Sequence, residues 1–205
     1  MSGKKIGGAG LRGQSAGETS ICTVGVSGSG LTYRGFDIVD LAENTTFEEV
    51  AYLLLKGKLP NAQELKAYIE KLKTLRGLQP ELRSTLEGIP KTAHPMDVLR
   101  TGCSVLGNLE QEEGFINQTD HADRMLSAFP SILSYWYQYS HYGKRIDTET
   151  SDDTIGGHFL HLLHGKKPSQ LHDQVMSISL ILYAEHEFNA STFAARVCAS
   201  TLSDI

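Results

Sequence analysis

Disulfide chemistry has little to work with in this chain. It has three cysteines in 205 residues, Cys22, Cys103 and Cys198, far apart and with no CxxC pair. That excludes a disulfide framework and a zinc ribbon, and the sequence reads as a cytoplasmic protein with reduced thiols. Long apolar runs are missing too. None approaches the roughly 18 to 20 residues that span a bilayer. The basic start Met1-Ser-Gly-Lys-Lys-Ile6 has no hydrophobic segment behind it, so it is no secretory signal. Nor is there an excess of positive charge: 19 Lys and Arg stand against 24 Asp and Glu, for a net charge of −5. This argues against a broad nucleic-acid or anionic-membrane surface but permits a local cationic pocket for a small anion.

Several catalytic signatures are also absent. No serine sits in a Gly-x-Ser-x-Gly elbow, and no cysteine has a histidine close by to activate it. The glycine-rich opening, residues 1–18, carries Gly3, Gly7, Gly8, Gly10, Gly13 and Gly17 but no Gly-Lys-Ser/Thr ending. It reads as an arm or wrapping coil and not as a phosphate loop. Internal repeats and low-complexity linkers are lacking. With 40% hydrophobic and 21% charged residues, what remains is an ordinary globular composition, long enough to bury a core.

The residues predict a mainly α protein with one small β-hairpin near its start. Ser20 to Val24 and Leu31 to Tyr33 are β-prone runs separated by Gly25, Gly28 and Gly30. After Arg34-Gly35 the pattern is helical. Thr46-Phe-Glu-Glu49 and Asn61-Ala-Gln-Glu64 are helix starts, the first a capping box, with Gly57, Pro60 and Gly77 as stops. Pro80 and His94-Pro95 open two further helical segments, and residues 111–120 are polar enough for a surface loop. From Ala122 to Tyr142 one long stripe runs through Met125, Phe129, Ile132, Leu133 and Trp136, where Pro130 predicts a kink or a division. Ile155 to His164, Ser169 to Tyr183 and Ser191 to Ile205 complete the helices. The last shows no stop signal before the sequence ends and reads as cut.

His186 is the first candidate for chemistry. It lies between Glu185 and Glu187, which favour a protonated imidazole able to donate to a carboxylate or keto oxygen. Asn189, Ser191 and Thr192 start the next helix, whose free N–H groups suit an anion. The competing reading is an exposed histidine that only caps the preceding helix. His158, His161 and His164 recur every third residue. Such steps drift around a helix, so a structural role is favoured over a metal site. Arg34 could grip a carboxylate or phosphate, with a half-buried ion pair at the hairpin exit as the simpler alternative. Lys71, Lys73 and Arg76 read as a solvated helix face, Tyr135 to Tyr139 as core and interface, and Asp152-Asp153 as a helix N-terminal charge pair near Thr154.

Five blocks in register carry a resemblance. They are Gly30-Leu-Thr-Tyr-Arg-Gly-Phe-Asp-Ile38 with Asp40-Leu-Ala42, Gly57-Lys-Leu-Pro60, His94-Pro-Met-Asp-Val-Leu-Arg-Thr101, Ile155-Gly-Gly-His-Phe-Leu-His-Leu-Leu-His164 and Tyr183-Ala-Glu-His-Glu-Phe-Asn-Ala-Ser-Thr-Phe193. Together they resemble the citrate synthase family, and within it most closely the 2-methylcitrate synthases, from about Gly10 to the last residue. The resemblance implies a multi-helical large domain, of which residues 19–205 would be the N-terminal part, in a two-domain homodimer. The activity it implies is condensation of propionyl-CoA with oxaloacetate and water to 2-methylcitrate and CoA, in propionate catabolism. The CoA thioester is a substrate and no cofactor or metal is expected. Citrate synthesis from acetyl-CoA is the alternative within the class, and a non-catalytic helical piece acting by association is the alternative outside it. His186 matches the family's Glu/Asp-His-Glu-x-Asn segment and so takes the oxaloacetate contact. The family's catalytic Pro-x-His-Gly-Gly and Gly-His-Arg segments and its late aspartate would all follow Ile205. No catalytic residue is therefore expected within this chain, which by itself should be inactive.

Overall fold

The structure, a computed structural model, describes residues 17–25, 30–112 and 117–203. Most of the glycine-rich arm and part of the 111–120 loop therefore lie outside the described residues. Three short strands, β1 (Cys22–Val24), β2 (Leu31–Tyr33) and β3 (Phe36–Asp37), form an antiparallel sheet in the order β1-β2-β3. The hairpin read from sequence is β1 and β2, paired from Cys22↔Tyr33 to Val24↔Leu31. The third strand corrects the expectation that helix begins directly after Gly35. Arg34 and Gly35 both take positive φ, 51° and 88°, which is the backbone of a two-residue hairpin turn, and the chain folds back once more before turning helical.

Nine helices follow among the described residues: α1 (Ile38–Asn44), α2 (Phe47–Lys56), α3 (Ala62–Thr74), α4 (Pro80–Glu87), α5 (Pro95–Leu109), α6 (Gln118–Tyr142), α7 (Ile155–His164), α8 (Gln170–Tyr183) and α9 (Ala190–Ala199). Their ends follow local chemistry. Thr46 with Glu49 and Asn61 with Glu64 form two complete capping boxes, in which each side chain satisfies a backbone N–H of the other residue. Pro80 and Pro95 occupy the first helical position, where no N–H is needed. Gly57, Gly143 and Gly165 close α2, α6 and α7 in the left-handed region that favours glycine.

Two departures from the sequence reading are instructive. Pro130 does not divide α6, which runs unbroken through 25 residues. The proline removes one backbone donor, but Ala128, Ser131 and Ile132 around it are buried. Packing on both sides of the proline holds the two halves as one helix. The terminal helix, expected to run to Ile205, stops at Ala199. Ser200 and Thr201 turn their hydroxyls back onto the carbonyls of Val197 and Cys198, and such bonds compete with helix propagation.

The core has two parts. One gathers Tyr33 and Cys22 of the sheet with Leu41, Val50, Leu53, Tyr68, Leu72, Ile155 and Ile181. The other joins Leu82, Leu86, Val98, Leu106, Ile132 and Trp136 from α4, α5 and α6. Trp136 is thus an internal core residue. Gly102 sits where α5 crosses α6 so closely that a Cβ there would lie 2.7 Å from Ile132 Cγ2. No helix among the described residues is long and apolar enough to cross a membrane.

Candidate functional site

His186 lies in the turn between α8 and α9, and its imidazole is exposed. The turn is tied to the β-hairpin. The Tyr33 side chain is fully buried, and its hydroxyl donates to the Ile181 carbonyl at 2.9 Å and accepts from the Glu185 N–H at 3.3 Å. Burial raises the phenol above its usual pKa, so it remains a donor at neutral pH. Glu187 Oε1 accepts from the Val24 N–H at 3.0 Å, and Glu187 itself sits at φ 52°. Glu185 Oε1 accepts from the His186 backbone N–H at 3.0 Å.

The two glutamates are thus engaged by the backbone. Their carboxylates accept from backbone N–H groups, and neither hydrogen-bonds the imidazole among the described residues. The ring is left to an incoming acceptor. Beyond it, Asn189 caps α9 by accepting from the Thr192 N–H at 2.8 Å, which leaves the N–H groups of Ala190 and Ser191 at the open end of that helix. Arg196 lies over the Phe188 ring, 4.7 Å from its centroid. A hydrogen-bond donor, two backbone amides and one guanidinium thus fall within residues 186–196. Such a set can orient a small carboxylate or keto oxygen.

The histidine-rich helix α7 is committed to structure. His158 is wholly buried, with its Nε2 3.1 Å from Ser131 Oγ and its Nδ1 3.0 Å from Thr150 Oγ1. Burial, and then the nearby Arg76 charge, push its pKa down to about 3, so it is a neutral core histidine. His161 Nδ1 meets Asp152 Oδ2 at 2.7 Å, and His164 is exposed. The three histidines face different partners. Among the described residues no group of three or more His, Cys, Asp or Glu could hold a metal ion.

Several sequence candidates change character. Arg34 makes no carboxylate pair among the described residues: its guanidinium donates to the Leu54 carbonyl at 2.9 Å, at the end of α2, and to Ser20 Oγ at 3.4 Å. Arg76 is not on a solvated face. It is 1% exposed and donates to the carbonyls of Thr150 at 2.8 Å and Thr154 at 3.4 Å. It thereby pins the 143–154 segment to α3, which no periodicity could reveal because the arginine falls just beyond the helix end. Lys71 binds Asp120 and Asp123, and Asp123 in turn accepts from the Tyr68 hydroxyl at 2.8 Å. Asp152 and Asp153 are split between His161 and Lys73, and the start of α7 is capped by Thr154, which accepts from the Gly157 N–H, and by Glu48, which accepts from the Ile155 N–H at 2.7 Å. Within the Tyr135–Tyr139 run, Tyr135 and Trp136 are core, while Tyr137 and Tyr139 are only half-buried. All three cysteines are free, and of them Cys198 is exposed.

Two of the clefts border α8. A polar one of about 370 Å³ is lined by Glu43, Thr46, Glu49, Asp173 and Ser177. An apolar one of about 280 Å³ is lined by Leu99, Leu126, Phe129, Leu133, Phe159 and Leu180. Neither includes His186. The sequence singles out His186 but not Tyr33, which the β-prone run Leu31-Thr-Tyr33 marks only as a strand residue. An isolated tyrosine at a strand end carries no signal of a hydroxyl bonded to a turn so far along the chain.

Comparison with known proteins places these features in a lineage. Residues 10–205 match the family model described as citrate synthase, C-terminal domain. The 2-methylcitrate synthase of Shewanella oneidensis is 71% identical over 202 residues, a match that covers 98% of this chain and 54% of that protein. The citrate synthase of Heyndrickxia coagulans is 36% identical over 199 residues, covering 96% of this chain and 53% of its own. Among solved structures, the citrate synthase of Thermotoga maritima superposes with a TM-score of 0.80 at 37% identity, covering 96% of this chain and 51% of that one. A citrate synthase from Thermoplasma acidophilum, solved as a ternary complex with carboxymethyl coenzyme A and oxaloacetate, superposes with a TM-score of 0.85 at 26% identity, covering 95% of this chain and 51% of its own. The chain spans about half the length of the curated relatives it matches. On the strength of a family match over 196 consecutive positions, residues 10–205, the chain belongs to the citrate synthase family.

Proposed function

We propose that this chain serves a 2-methylcitrate synthase: propionyl-CoA, oxaloacetate and water give 2-methylcitrate and CoA. The observation that carries the reading is the 71% identity with a 2-methylcitrate synthase, against 36% with a citrate synthase. In this reaction the acyl α-carbon loses a proton, the enol attacks the keto carbon of oxaloacetate, and water hydrolyses the thioester. His186 takes the role of a donor to oxaloacetate, with the α9 amides as secondary partners. Residues 19–205 form the N-terminal part of the large domain, and the acid and base of the chemical steps come from outside them. The active protein is a cytoplasmic homodimer that needs no cofactor, its CoA thioester being a substrate. The open surface around His186 supports this division, because a donor with no enclosing wall can hold a small dianion only with help from further residues.

Two assays test the reading. A chain extended to the length of its relatives is given propionyl-CoA and acetyl-CoA with oxaloacetate. One methylene usually separates such substrates by about 1–3 kcal/mol, or 10- to 200-fold. Higher kcat/KM with propionyl-CoA is expected, and higher efficiency with acetyl-CoA would make the protein a citrate synthase. The 205-residue chain alone is expected to release no CoA from either thioester, because removing the proton-transferring groups removes the route. Turnover by the purified chain that disappears in His186→Ala would refute this assignment of the catalytic groups.

A further inference from the structure

We infer that Tyr33 and Glu187 are positioning residues for His186, so that the N-terminal hairpin sets the direction of the substrate-facing imidazole. The inference rests on the reading of His186 as an oxaloacetate contact. The His186 ring has no hydrogen-bonding partner of its own among the described residues, so its orientation is inherited from the backbone of residues 184–189. That backbone has an intrinsic tendency to move elsewhere. Glu187 occupies φ 52°, a left-handed conformation in which a non-glycine residue is strained. The segment also lies between helices, where no ladder holds it. α9 has no buried residue to anchor the far side.

The restraint comes from the sheet. Val24 of β1 donates to the Glu187 carboxylate at 3.0 Å, which holds the strained residue by its own side chain. Tyr33 of β2, fully buried, uses one oxygen twice: it donates to Ile181 O in the last turn of α8 and accepts from Glu185 N, one residue before His186. The two anchors bracket the histidine, one on each side. Cys22↔Tyr33 and Val24↔Leu31 are partners in the same antiparallel pair, so both anchors stand on one rigid hairpin. A hydroxyl acting as donor and acceptor at once cannot be replaced by an apolar ring, and a carboxylate acceptor can be replaced only by another acceptor of the same reach.

The experiment uses the 205-residue chain with ¹³C,¹⁵N-labelled histidine, the His186 ring signal being assigned by its loss in His186→Gln. Tyr33→Phe should shift or broaden that signal and speed exchange of the Glu185 amide by roughly fivefold to tenfold, the loss of one net hydrogen bond. The His158 ring signal and the far-UV spectrum should stay as in the parent. Glu187→Gln, which keeps an acceptor for Val24, should resemble the parent. Glu187→Gly, which tolerates the backbone but lacks the acceptor, should move His186 as Tyr33→Phe does. A purely structural role would lower the melting temperature while leaving the His186 signal in place. That outcome, or equal behaviour of Glu187→Gln and Glu187→Gly, overturns the inference. Oxaloacetate titrated into a chain extended to the length of its relatives tests the underlying reading separately. If Tyr33→Phe moves the His186 signal while oxaloacetate does not, the anchoring stands and the substrate contact falls.

Discussion

His158 offers a prediction whose sign and size can be worked through. The imidazole is 0% exposed, bonded at both nitrogens to hydroxyls, and its pKa is pushed down to about 3 by burial and by Arg76, with Asp152 pulling weakly the other way. In the unfolded chain the ring titrates near its ordinary value of about 6.5. The folded pKa is the lower one, so the unfolded state binds the extra proton. Stability is then fully present above about pH 6.5 and falls with pH toward 3, by about 1.4 kcal/mol per unit. Between pH 7 and pH 5 this single residue should cost about 2 kcal/mol. Urea unfolding at the two pH values measures the loss, and His158→Gln removes the titration while an amide can still meet Ser131 and Thr150. Because every other titrating group is common to both proteins, the difference between their pH losses isolates His158. The parent should lose about 2 kcal/mol more than the variant. Equal losses, or a ring signal of His158 that titrates near pH 6, would refute the reasoning.

Three further outcomes are expected. Gly102→Ala should destabilise by about 1–3 kcal/mol, since the new methyl must displace Ile132, less up to about 1 kcal/mol of helix propensity regained; a raised melting temperature would show that α5 and α6 separate freely. Arg76→Ala should cost about 3–5 kcal/mol in urea melts by stranding the Thr150 and Thr154 carbonyls and the buried carboxyls nearby. Arg76→Lys should restore little, because a single ammonium cannot reproduce the fork, and full rescue by lysine would contradict that geometry. The outer stripe of α8, with Leu171 at 65% exposure and Val175 at 55%, should drive self-association of the 205-residue chain. Light scattering is expected to report oligomers that Leu171→Lys with Val175→Lys reduces, and a monomeric parent would count against it.

What was legible in the sequence was what local chemistry decides. Thr46 with Glu49 and Asn61 with Glu64 announce helix starts because both partners of each capping box lie within four residues. The hairpin and the stripes of α3 and α6 follow from period alone. Arg76 shows where such reading ends. Its type and neighbours suggest solvent, yet its carbonyl partners stand on a loop more than seventy residues later, and only the closed fold brings them together. Pro130 shows the same limit from the other side: a local rule predicts a kink or a division, and with packing on both sides the helix is not divided. The motif around His186 was legible because it is contiguous. Its support was not, because Tyr33 and Val24 reach it through tertiary bonds.

The charge around His186 bears on how the proposed site would work. Glu185 and Glu187 flank it, so the segment brings two carboxylates toward a ligand that is itself anionic. Left free, they would oppose binding. Instead one carboxylate oxygen of each accepts from a backbone N–H, that of Glu187 from Val24 of the hairpin, which offsets part of their charge. Arg196 is the nearby cation, and its guanidinium is already placed over Phe188. On the proposed reading, then, His186 supplies direction more than affinity. A charge-assisted donor is typically worth about 1.5–3 kcal/mol, whereas a millimolar complex needs about 4 kcal/mol. The remainder has to come from other donors, the α9 amides among them. His186→Ala in an extended chain should accordingly weaken oxaloacetate binding by about 10- to 150-fold in calorimetry, while His161→Ala changes the melt and leaves affinity in place. If the two variants exchanged these effects, the substrate contact would belong to the histidine helix and not to the turn.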